Sequence, residues 1–513
     1  MSILRVIVLL GVFYSIDGAK ILLMPWSATS HCLEMMSIGR ELLERGHHVT
    51  LYVLLYDPKN CISRMKADLF KPKFKIVIPN LDPSFQKKND DVLASGSEYI
   101  YNRTNLVWFL LRLAPPFIRN ICDAAFYDKT AFQELQRDGY DIAIVDGILF
   151  SGCLFAFPLA LGIPAAAQGS FIDPQDSRMP LQTNTFPSLY SEFSNDMTFL
   201  QRFTNTLAFF LNPVMRYFMI PSVDLSRYNE TLRGLDSRDL VKDSILFLEN
   251  SDYIIDYPKA IFPNFVQVGG LTASFSDPLP GDLKKFLDDR TDGVVLVSFG
   301  SMLKGFPSSL IEKLMAAFGR LKYQVLFKQD REEIRGNIKT VKWLPQNDIL
   351  GHPNTKLFIS HCGKNGFWEG VYHGVPIICM PIHAETGTTA VKVRKYGIGS
   401  SINIYDDTVD EIVEKINNVL GNESISFNMK KISSILRDRP ETPAQRGASA
   451  LEHVIKYGGD HLRPPSVDFN FISYVYADVW LALLAIMIFV IWFGIWMCRR
   501  CCRCRKGSKS KLD

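Results

Sequence analysis

Short apolar runs of strand length alternate with longer segments of helical period along the chain, which predicts an α/β fold with parallel sheets. In the first half the alternation begins with a strand at residues 20–26 and a helix at residues 32–45. The other elements predicted in this half are strands at 48–54, 141–146 and 164–168 and a helix at 152–161.

A second alternation opens at Gly293, after a join near residues 269–281 that is rich in Gly, Pro and Ser. The predicted strands are 294–299, 324–328, 339–343, 356–360 and 375–380, with helices at 308–318, 366–373 and through most of 388–456. Two such sheets facing one another would form an interdomain cleft, and α/β proteins bind ligands at the carboxyl ends of their strands.

Residues 198–220 form an aromatic-rich segment between the two alternations. Its aromatic side chains include Phe199, Phe203, Phe209, Phe210, Tyr217 and Phe218. Such a segment is more often a core or interdomain helix than a membrane contact, so we expect the former and keep the latter as the alternative.

Two apolar segments near the ends of the chain predict its topology. Residues 1–18 combine Arg5, an apolar run and small residues at a plausible cleavage point, the pattern of a secretory signal peptide. Residues 479–498 carry no charge and are long enough to cross a bilayer core of about 30 Å. The basic tail at 499–513 follows immediately, and positive residues stay cytosolic. We therefore expect a single-pass protein with a lumenal or extracellular body.

Composition narrows the class of protein. The 513-residue chain has a formal net charge of +4, but the tail holds enough Lys and Arg to leave the remainder slightly acidic. No basic face is left for nucleic acid. Sequons at Asn102, Asn229 and Asn422 suit a glycosylated body. The body cysteines show no paired spacing that would indicate a disulfide scaffold or a zinc site, and whether any of them pair stays open.

The stretch from His361 to Asn365 lies between a predicted strand and a predicted helix. Free backbone N–H groups and the helix dipole favour phosphate there. A diphosphate needs such donors plus short polar side chains, which His361, Gly363 and Asn365 supply.

Neighbouring residues suit the rest of a nucleotide. Glu369 falls about one turn into the predicted helix, where its carboxylate could accept hydrogen bonds from two ribose hydroxyls. Trp343 offers a flat face for a base, and Gln346 offers an amide for a base edge or ribose. Each residue alone has an ordinary structural explanation, so the joint spacing carries the signal.

That spacing resembles the signature of the UDP-glycosyltransferase superfamily. The matching motifs are W-L-P-Q at 343–346, H-C-G-K-N-G-F-W-E-G at 361–370, G-V-P at 374–376, V-S-F-G-S at 297–301 and V-G-G-L at 268–271. Nearly the whole chain resembles the membrane-bound UDP-glucuronosyltransferase branch of animals.

The resemblance implies two facing Rossmann-like domains of the GT-B type, with an interdomain cleft, plus one C-terminal transmembrane helix. The expected segments are a signal peptide at 1–18, an acceptor-binding domain at 19–270, a UDP-sugar-binding domain at 271–460, a juxtamembrane segment at 461–478, the membrane helix at 479–498 and the cytosolic tail at 499–513.

The resemblance also implies residue roles. Trp343 would stack on uracil, and Gln346 and Glu369 would hold the uridine. Ser301, His361 and Asn365 would contact the diphosphate.

The first half would supply the catalytic base. His31 follows the first predicted strand and Asp146 ends another, at places that resemble the family's catalytic pair. An inverting transfer needs a group to take the acceptor proton, and an imidazole oriented by a carboxylate suits neutral pH. A helix-start histidine and a strand-end carboxylate are the ordinary alternatives.

One stretch departs from the family pattern. After Pro381 the family commonly has an Asp-Gln pair that holds sugar hydroxyls, and here Glu385 and Thr386 stand in its place. The donor sugar is therefore left open. The sequence contains no Asp-x-Asp motif of metal-dependent transferases, so we expect no metal and no cofactor besides the UDP-sugar substrate.

The leading hypothesis is an enzyme that transfers glucuronic acid, or next glucose, to a small lipophilic acceptor. A catalytically weak relative acting as a partner subunit is the alternative, and a cell-surface adhesion protein would require strand-rich repeats that the sequence lacks. Lys509 and Lys511 resemble a dilysine retrieval signal, which predicts the endoplasmic-reticulum membrane. A homo- or hetero-oligomer is left open.

Overall fold

The computed structural model describes residues 18–26, 28–54, 74–101, 114–148, 151–188, 191–290, 292–300, 306–382 and 384–508. Two seven-stranded sheets organise these residues, one in each half of the chain. The strands are Lys20–Met24 (β1), His48–Tyr52 (β2), Lys75–Val77 (β3), Ile142–Asp146 (β4), Ala165–Gly169 (β5), Leu246–Glu249 (β6), Phe265–Gln267 (β7), Val294–Ser298 (β8), Gln324–Lys328 (β9), Glu333–Arg335 (β10), Ile338–Val341 (β11), Thr355–Ser360 (β12), Ile377–Cys379 (β13) and Gly399–Ser401 (β14).

Helices connect and cover these strands. They are Thr29–Glu44 (α1), Pro83–Tyr101 (α2), Ala114–Tyr127 (α3), Lys129–Asp138 (α4), Ala156–Leu161 (α5), Phe199–Met219 (α6), Gly281–Asp288 (α7), Ser308–Phe318 (α8), Gln346–Leu350 (α9), Lys364–His373 (α10), Ala384–Lys395 (α11), Val409–Gly421 (α12), Glu423–Arg437 (α13), Pro443–Tyr457 (α14), Phe471–Tyr474 (α15) and Ala477–Ser508 (α16).

The first sheet has the order β3-β2-β1-β4-β5-β6-β7, and its neighbouring strands run parallel. The five residues of β4 are all buried, as expected for a parallel strand covered on both faces. The order of the chain reverses between β1 and β4. Ligands bind at such a reversal in doubly wound sheets, outside the carboxyl ends of the strands.

The second sheet repeats the arrangement with the order β10-β11-β9-β8-β12-β13-β14. Its strands are parallel except for the edge pair β10 and β11. Here the reversal lies between β8 and β12. The fold class predicted from the sequence is confirmed, and each half offers a binding edge at its own reversal.

The aromatic segment forms helix α6, capped by Thr198, but the expectation of a core helix is wrong for most of its side chains. Phe209 is 4% exposed, whereas Phe199 is 75% and Phe218 is 70% exposed. One face of α6 is held by the preceding loop, where Gln175 Nε2 donates to the Phe209 carbonyl at 2.6 Å. The side chains on the opposite face are mostly apolar and exposed.

Helix α14 returns from the second half to the first sheet. Ala448 and Leu451 share an apolar cluster with Ile21 of β1. Glu452 pairs with the guanidinium of Arg45 at 2.7 Å and with the ring of His47 at 2.9 Å. These contacts fasten the C-terminal part of the second half onto the first.

After α14 the chain reaches α15 and the long helix α16. The Tyr474 hydroxyl of α15 donates to the Pro174 carbonyl at 3.0 Å. Within residues Ala477–Arg500 of α16, an 18-residue stretch has a mean hydropathy of 2.6, and none of it is buried. By length and composition this helix is suited to cross a membrane.

Cysteine pairing was left open by the sequence, and two disulfides lie wholly within the described residues. Cys122 of α3 is bonded to Cys153 ahead of α5, and Cys362 after β12 is bonded to Cys379 of β13. The pairs are separated by 31 and 17 residues, so short-range spacing gave no sign of them.

Two of the three sequon asparagines lie in the described residues. Asn422 is exposed and caps α13. Asn229 is partly buried, and its Nδ2 donates to the Ala160 carbonyl at 3.4 Å. Asn102 lies outside the described residues, as do the residues expected to form the signal peptide up to position 17 and the two lysines of the dilysine motif.

Candidate active site

His31 and Asp146 meet at the reversal point of the first sheet. His31 lies in the first turn of α1, directly beyond β1, and Asp146 is the last residue of β4. Because β1 and β4 are adjacent, His31 Nδ1 lies 2.7 Å from Asp146 Oδ2. The two side chains are 13% and 4% exposed. The sequence placed these residues on separate elements, and the sheet brings them together.

Backbone amides hold the Asp146 carboxylate in place. The Trp26 N–H donates to Oδ2 at 3.3 Å, and the Ile148 N–H donates to Oδ1 at 3.1 Å. These two donors fix the position of the carboxylate, which in turn orients the His31 ring. A ring whose Nδ1–H donates to a carboxylate accepts a proton at Nε2.

His361, Gly363 and Asn365 surround the turn between β12 and α10, at the reversal point of the second sheet. Gly363 is the N-cap of α10, so the first backbone N–H groups of the helix point out of this turn. A Cβ on Gly363 would lie 2.5 Å from His361 Nε2, and one on Gly300 would lie 2.9 Å from His361 Cε1. The imidazole of His361 therefore fits only between two glycines.

Cys362 gives this turn an unusual backbone. It has a φ of 63°, which is costly for a residue with a side chain. Its N–H donates to Ser360 Oγ at 3.1 Å, and its disulfide to Cys379 ties the turn to the neighbouring strand. These contacts hold the turn in the conformation that presents the helix N-terminus.

Two of the residues expected to hold uridine, Gln346 at the start of α9 and Glu369 in α10, are in contact. Gln346 Nε2 donates to Glu369 Oε2 at 2.6 Å. A Cβ on Gly366 would lie 3.2 Å from Gln346 Nε2, so glycine leaves room for the amide. Trp343 is 58% exposed, which leaves its ring open to a base.

The two halves touch where the His31–Asp146 pair approaches the turn between β12 and α10. Asn365 Nδ2 donates to the Ser30 carbonyl at 3.2 Å, and Asn250 Nδ2 lies 3.4 Å from Asn365 Oδ1. Trp368 Nε1 donates to the Asn250 carbonyl at 3.3 Å. The imidazole of His31 thus adjoins the site predicted for the diphosphate.

Sequence reasoning missed Glu34 and Asn250 at this junction. Glu34 is 2% exposed and lies three residues after His31 on α1. Burial raises the pKa of Glu34 to about 7, although His31 acts to lower it. The three-residue spacing of His31 and Glu34, which puts both on one face of a helix, could have indicated Glu34 from the sequence. Nothing in the sequence indicated Asn250, because it follows a strand that the pattern did not predict.

A buried cluster of ion pairs adjoins the turn between β12 and α10. Lys364, the first residue of α10, lies 3.5 Å from Asp256, which also bonds Lys392. Burial acts to raise the pKa of Asp256, but the two ammonium groups outweigh it and hold that pKa well below its ordinary value.

The remaining expected site residues are Ser301, Glu385 and Thr386. Ser301 lies outside the described residues, and for Glu385 only the backbone, in α11, is described. Thr386 is fully buried, and its Oγ1 accepts from the Ile382 N–H at 3.1 Å. Its hydroxyl therefore supports the loop after β13.

Comparison with known proteins identifies the family of the chain. A family model described as UDP-glucoronosyl and UDP-glucosyl transferase matches residues 19–512. The chain belongs to this family of UDP-glycosyltransferases. It is 28% identical over 512 residues to UDP-glucuronosyltransferase 1-2 of Rattus norvegicus, covering 97% of this chain and 94% of the relative. It is 26% identical to UDP-glucuronosyltransferase 2C1 of Oryctolagus cuniculus, covering 94% of this chain and 99% of the relative.

Solved glycosyltransferases share the fold of this UDP-glycosyltransferase. Phytolacca americana UGT2, solved with UDP-2-fluoro-glucose and pterostilbene, has a TM-score of 0.58 at 16% identity, covering 86% of this chain and 99% of its own. The kitacinnamycin glycosyltransferase has a TM-score of 0.55 at 17% identity, covering 85% and 99%. These likenesses confirm two Rossmann-like domains of the GT-B type.

Proposed function

We propose that this UDP-glycosyltransferase transfers glucuronic acid, or next glucose, from its UDP-sugar to a hydroxyl of a small lipophilic acceptor with inversion. The products are a β-glycoside and UDP. The observation that carries the proposal is the 2.7 Å contact between His31 Nδ1 and Asp146 Oδ2 beside the N-terminus of α10. The preference for glucuronic acid is supported by the relatives' names.

In the proposed step His31 Nε2 takes the proton of the acceptor hydroxyl as the acceptor oxygen bonds the anomeric carbon. The bond from that carbon to the UDP oxygen breaks, and the electron pair leaves with UDP. Asp146 stabilises the imidazolium, which afterwards releases its proton to water. Backbone N–H groups of α10, with His361 and Asn365, receive the negative charge on the diphosphate. No metal enters the proposal.

The donor end of the site is proposed to hold UDP as the sequence predicts. Trp343 would stack on uracil, while Gln346 and Glu369 would hold the uridine. The contact between Gln346 of α9 and Glu369 of α10 supports this, because it holds the two side chains next to each other. Ser301 and Glu385 stay predicted donor contacts, and Thr386 would act through the loop it supports.

A donor panel on the detergent-solubilised full chain tests this function. UDP-glucuronic acid, UDP-glucose, UDP-xylose and UDP-N-acetylglucosamine are each tested against pooled phenols and sterols, with released UDP and glycoside both measured. We expect β-glycoside from UDP-glucuronic acid, and none from His31→Ala. UDP binding without transfer from any donor would favour the alternative of a partner subunit.

We also propose that the chain lies in the endoplasmic-reticulum membrane, with its body lumenal and its tail cytosolic. The apolar α16 followed by basic residues supports a single anchor in this orientation. Lys509→Ser with Lys511→Ser should leave topology unchanged but let the protein leave the reticulum. Glycans at Asn102, Asn229 or Asn422 would then resist endoglycosidase H, and full sensitivity would contradict retrieval by the tail.

A further inference from the structure

Glu34 places a second carboxyl group beside the catalytic pair. It lies on α1 three residues after His31, so both side chains leave the same face of the helix. The side chain is 2% exposed. A carboxyl group at that depth is costly unless hydrogen-bonded, so its partners indicate what the position is built for.

The partners of Glu34 come from the carboxyl edge of the first sheet. Ser170, directly after β5, donates its hydroxyl to Glu34 Oε1 at 3.2 Å and lies 3.5 Å from Oε2. The side chain of Asn250, directly after β6, also bonds the carboxyl group. Both partners are neutral, so they orient the carboxyl group without cancelling its charge.

The charged groups that act on Glu34 include His31 on its own helix and Asp146 at the end of β4. Other charged groups on the adjoining elements have partners of their own. Glu249 at the end of β6 pairs with Lys259 at 2.6 Å, and across the junction Lys364 pairs with Asp256 at 3.5 Å. The imidazole of His31 is therefore within electrostatic reach of two carboxyl groups, and Asp146 Oδ2 contacts its Nδ1 at 2.7 Å.

We propose that Glu34 is a positioning residue for the transfer reaction, whose carboxylate stabilises the His31 imidazolium and sets the lower pH limit of activity. This role rests on the proposed function. The proton still moves from the acceptor hydroxyl to His31 Nε2 while the bond to UDP breaks, and Glu34 exchanges no atom with the substrates. Its contribution is a second negative charge near the ring.

The pH dependence follows from the linked charges. When Glu34 is ionised, the imidazolium is favoured, so His31 is a stronger base that takes up its proton at a higher pH. Burial holds the pKa of Glu34 at about 7, close enough to the ordinary range of histidine for the two titrations to be coupled. We therefore expect kcat/KM of the wild type to fall through two ionisations on the acid side.

Glu34→Gln tests this directly, because glutamine keeps the shape and hydrogen-bonding reach but carries no charge. Its acid limb should reflect a single ionisation and move to lower pH by about one unit, the lower end of shifts caused by a nearby opposite charge. Its plateau should fall about three- to tenfold because a less basic imidazole is a weaker general base. The matched control is Glu44→Gln, which removes an exposed carboxylate about 15 Å farther along the same helix and should leave the profile unchanged.

Ser170→Ala provides a second variant if Glu34→Gln fails to fold. Removing that donor keeps Glu34 protonated to higher pH, so the variant should follow Glu34→Gln at neutral pH and return to wild-type rates at alkaline pH. A purely structural effect would instead lower the melting temperature and slow transfer equally at every pH. UDP affinity, measured by calorimetry on each full-length variant, should stay unchanged.

An acid limb that stays in place in both Glu34→Gln and Ser170→Ala would overturn this role while leaving the proposed function intact. Loss of transfer in His31→Ala alongside that result would confirm that the assay still reports the dyad. Absence of transfer by the wild type with every donor would overturn the proposed function, and this role with it.

Discussion

The two halves of the molecule assemble their functional side chains in different ways. In the second half, the residues predicted to hold UDP fall mostly between Trp343 and Glu369, around one strand-to-helix turn. In the first half, His31 and Asp146 are separated by 115 residues and meet because β1 and β4 are neighbours. A local constellation can be recognised from spacing, whereas a distant pair depends on sheet order.

The largest expected effect separates the two halves most sharply. His31→Ala and Asp146→Asn should each lower turnover by at least about a hundredfold, the lower end for losing general-base catalysis. UDP affinity should stay within about twofold, because the proposed nucleotide site lies in the other half. Single-turnover rates and calorimetric UDP titrations measure the two quantities separately.

His48→Ala is the matched control for the dyad, since His48 is an exposed histidine at the start of β2. It should retain wild-type turnover. Near-native turnover in His31→Ala would show that the base lies elsewhere. Equal losses of UDP affinity and turnover would show that nucleotide binding and catalysis are not separated between the two halves.

Glu369→Ala should have the converse effect, weakening UDP binding about ten- to hundredfold while turnover at saturating donor changes little. A charged hydrogen bond contributes about 1.5–3 kcal/mol, and Gln346 would also lose its partner. Isothermal titration with UDP measures the loss. Glu414→Ala, an exposed carboxylate on α12, is the control, and unchanged UDP affinity in Glu369→Ala would remove this residue from the donor site.

Prediction from the sequence also succeeds for local patterns and fails for contacts between distant elements. The pattern predicts β4, β8, β9 and β12 to within about two residues at each end, because these strands are continuous apolar runs. It misses β3, β6, β7, β10 and β14, which hold only three or four residues each. Glu34 was missed for a related reason, since its importance depends on Ser170 and Asn250 from other strands.

Helix α6 shows a different kind of failure. Its position and cap are readable from the sequence, but the burial of its aromatic side chains is not. Hydrophobic periodicity reports that a face is apolar and says nothing about what covers it. The disulfides are also invisible to local pattern because each joins separate elements.

The pair Glu385 and Thr386 is where the donor half departs from its family pattern. Glu385→Asp with Thr386→Gln should shift the ratio of kcat/KM for UDP-glucuronic acid over UDP-glucose by about tenfold toward glucuronic acid, as expected when a polar contact to a sugar hydroxyl is matched.

Thr386 is buried, so the larger glutamine should cost about 1–3 kcal/mol of folding stability. Glu385→Asp alone is therefore measured beside the double variant, with thermal unfolding of both. A donor ratio that neither variant changes would show that the sugar hydroxyls are held by other residues.

The smallest expected effect concerns Trp343, which tests whether the donor half binds the base as well as the ribose. Its ring is 58% exposed, so Trp343→Ala should leave folding stability within about 0.5 kcal/mol of the wild type. UDP affinity should fall about three- to tenfold, because an aromatic stack contributes about 0.5–1.5 kcal/mol beyond buried area. Trp343→Phe keeps a flat face and should recover most of that loss.

Binding of uridine and of ribose 5-phosphate, compared by calorimetry, separates the contribution of the base from that of the sugar. Only uridine should lose affinity in Trp343→Ala. Equal affinity of the wild type and Trp343→Ala for uridine, with Glu369→Ala still impaired, would show that the uracil lies away from this ring.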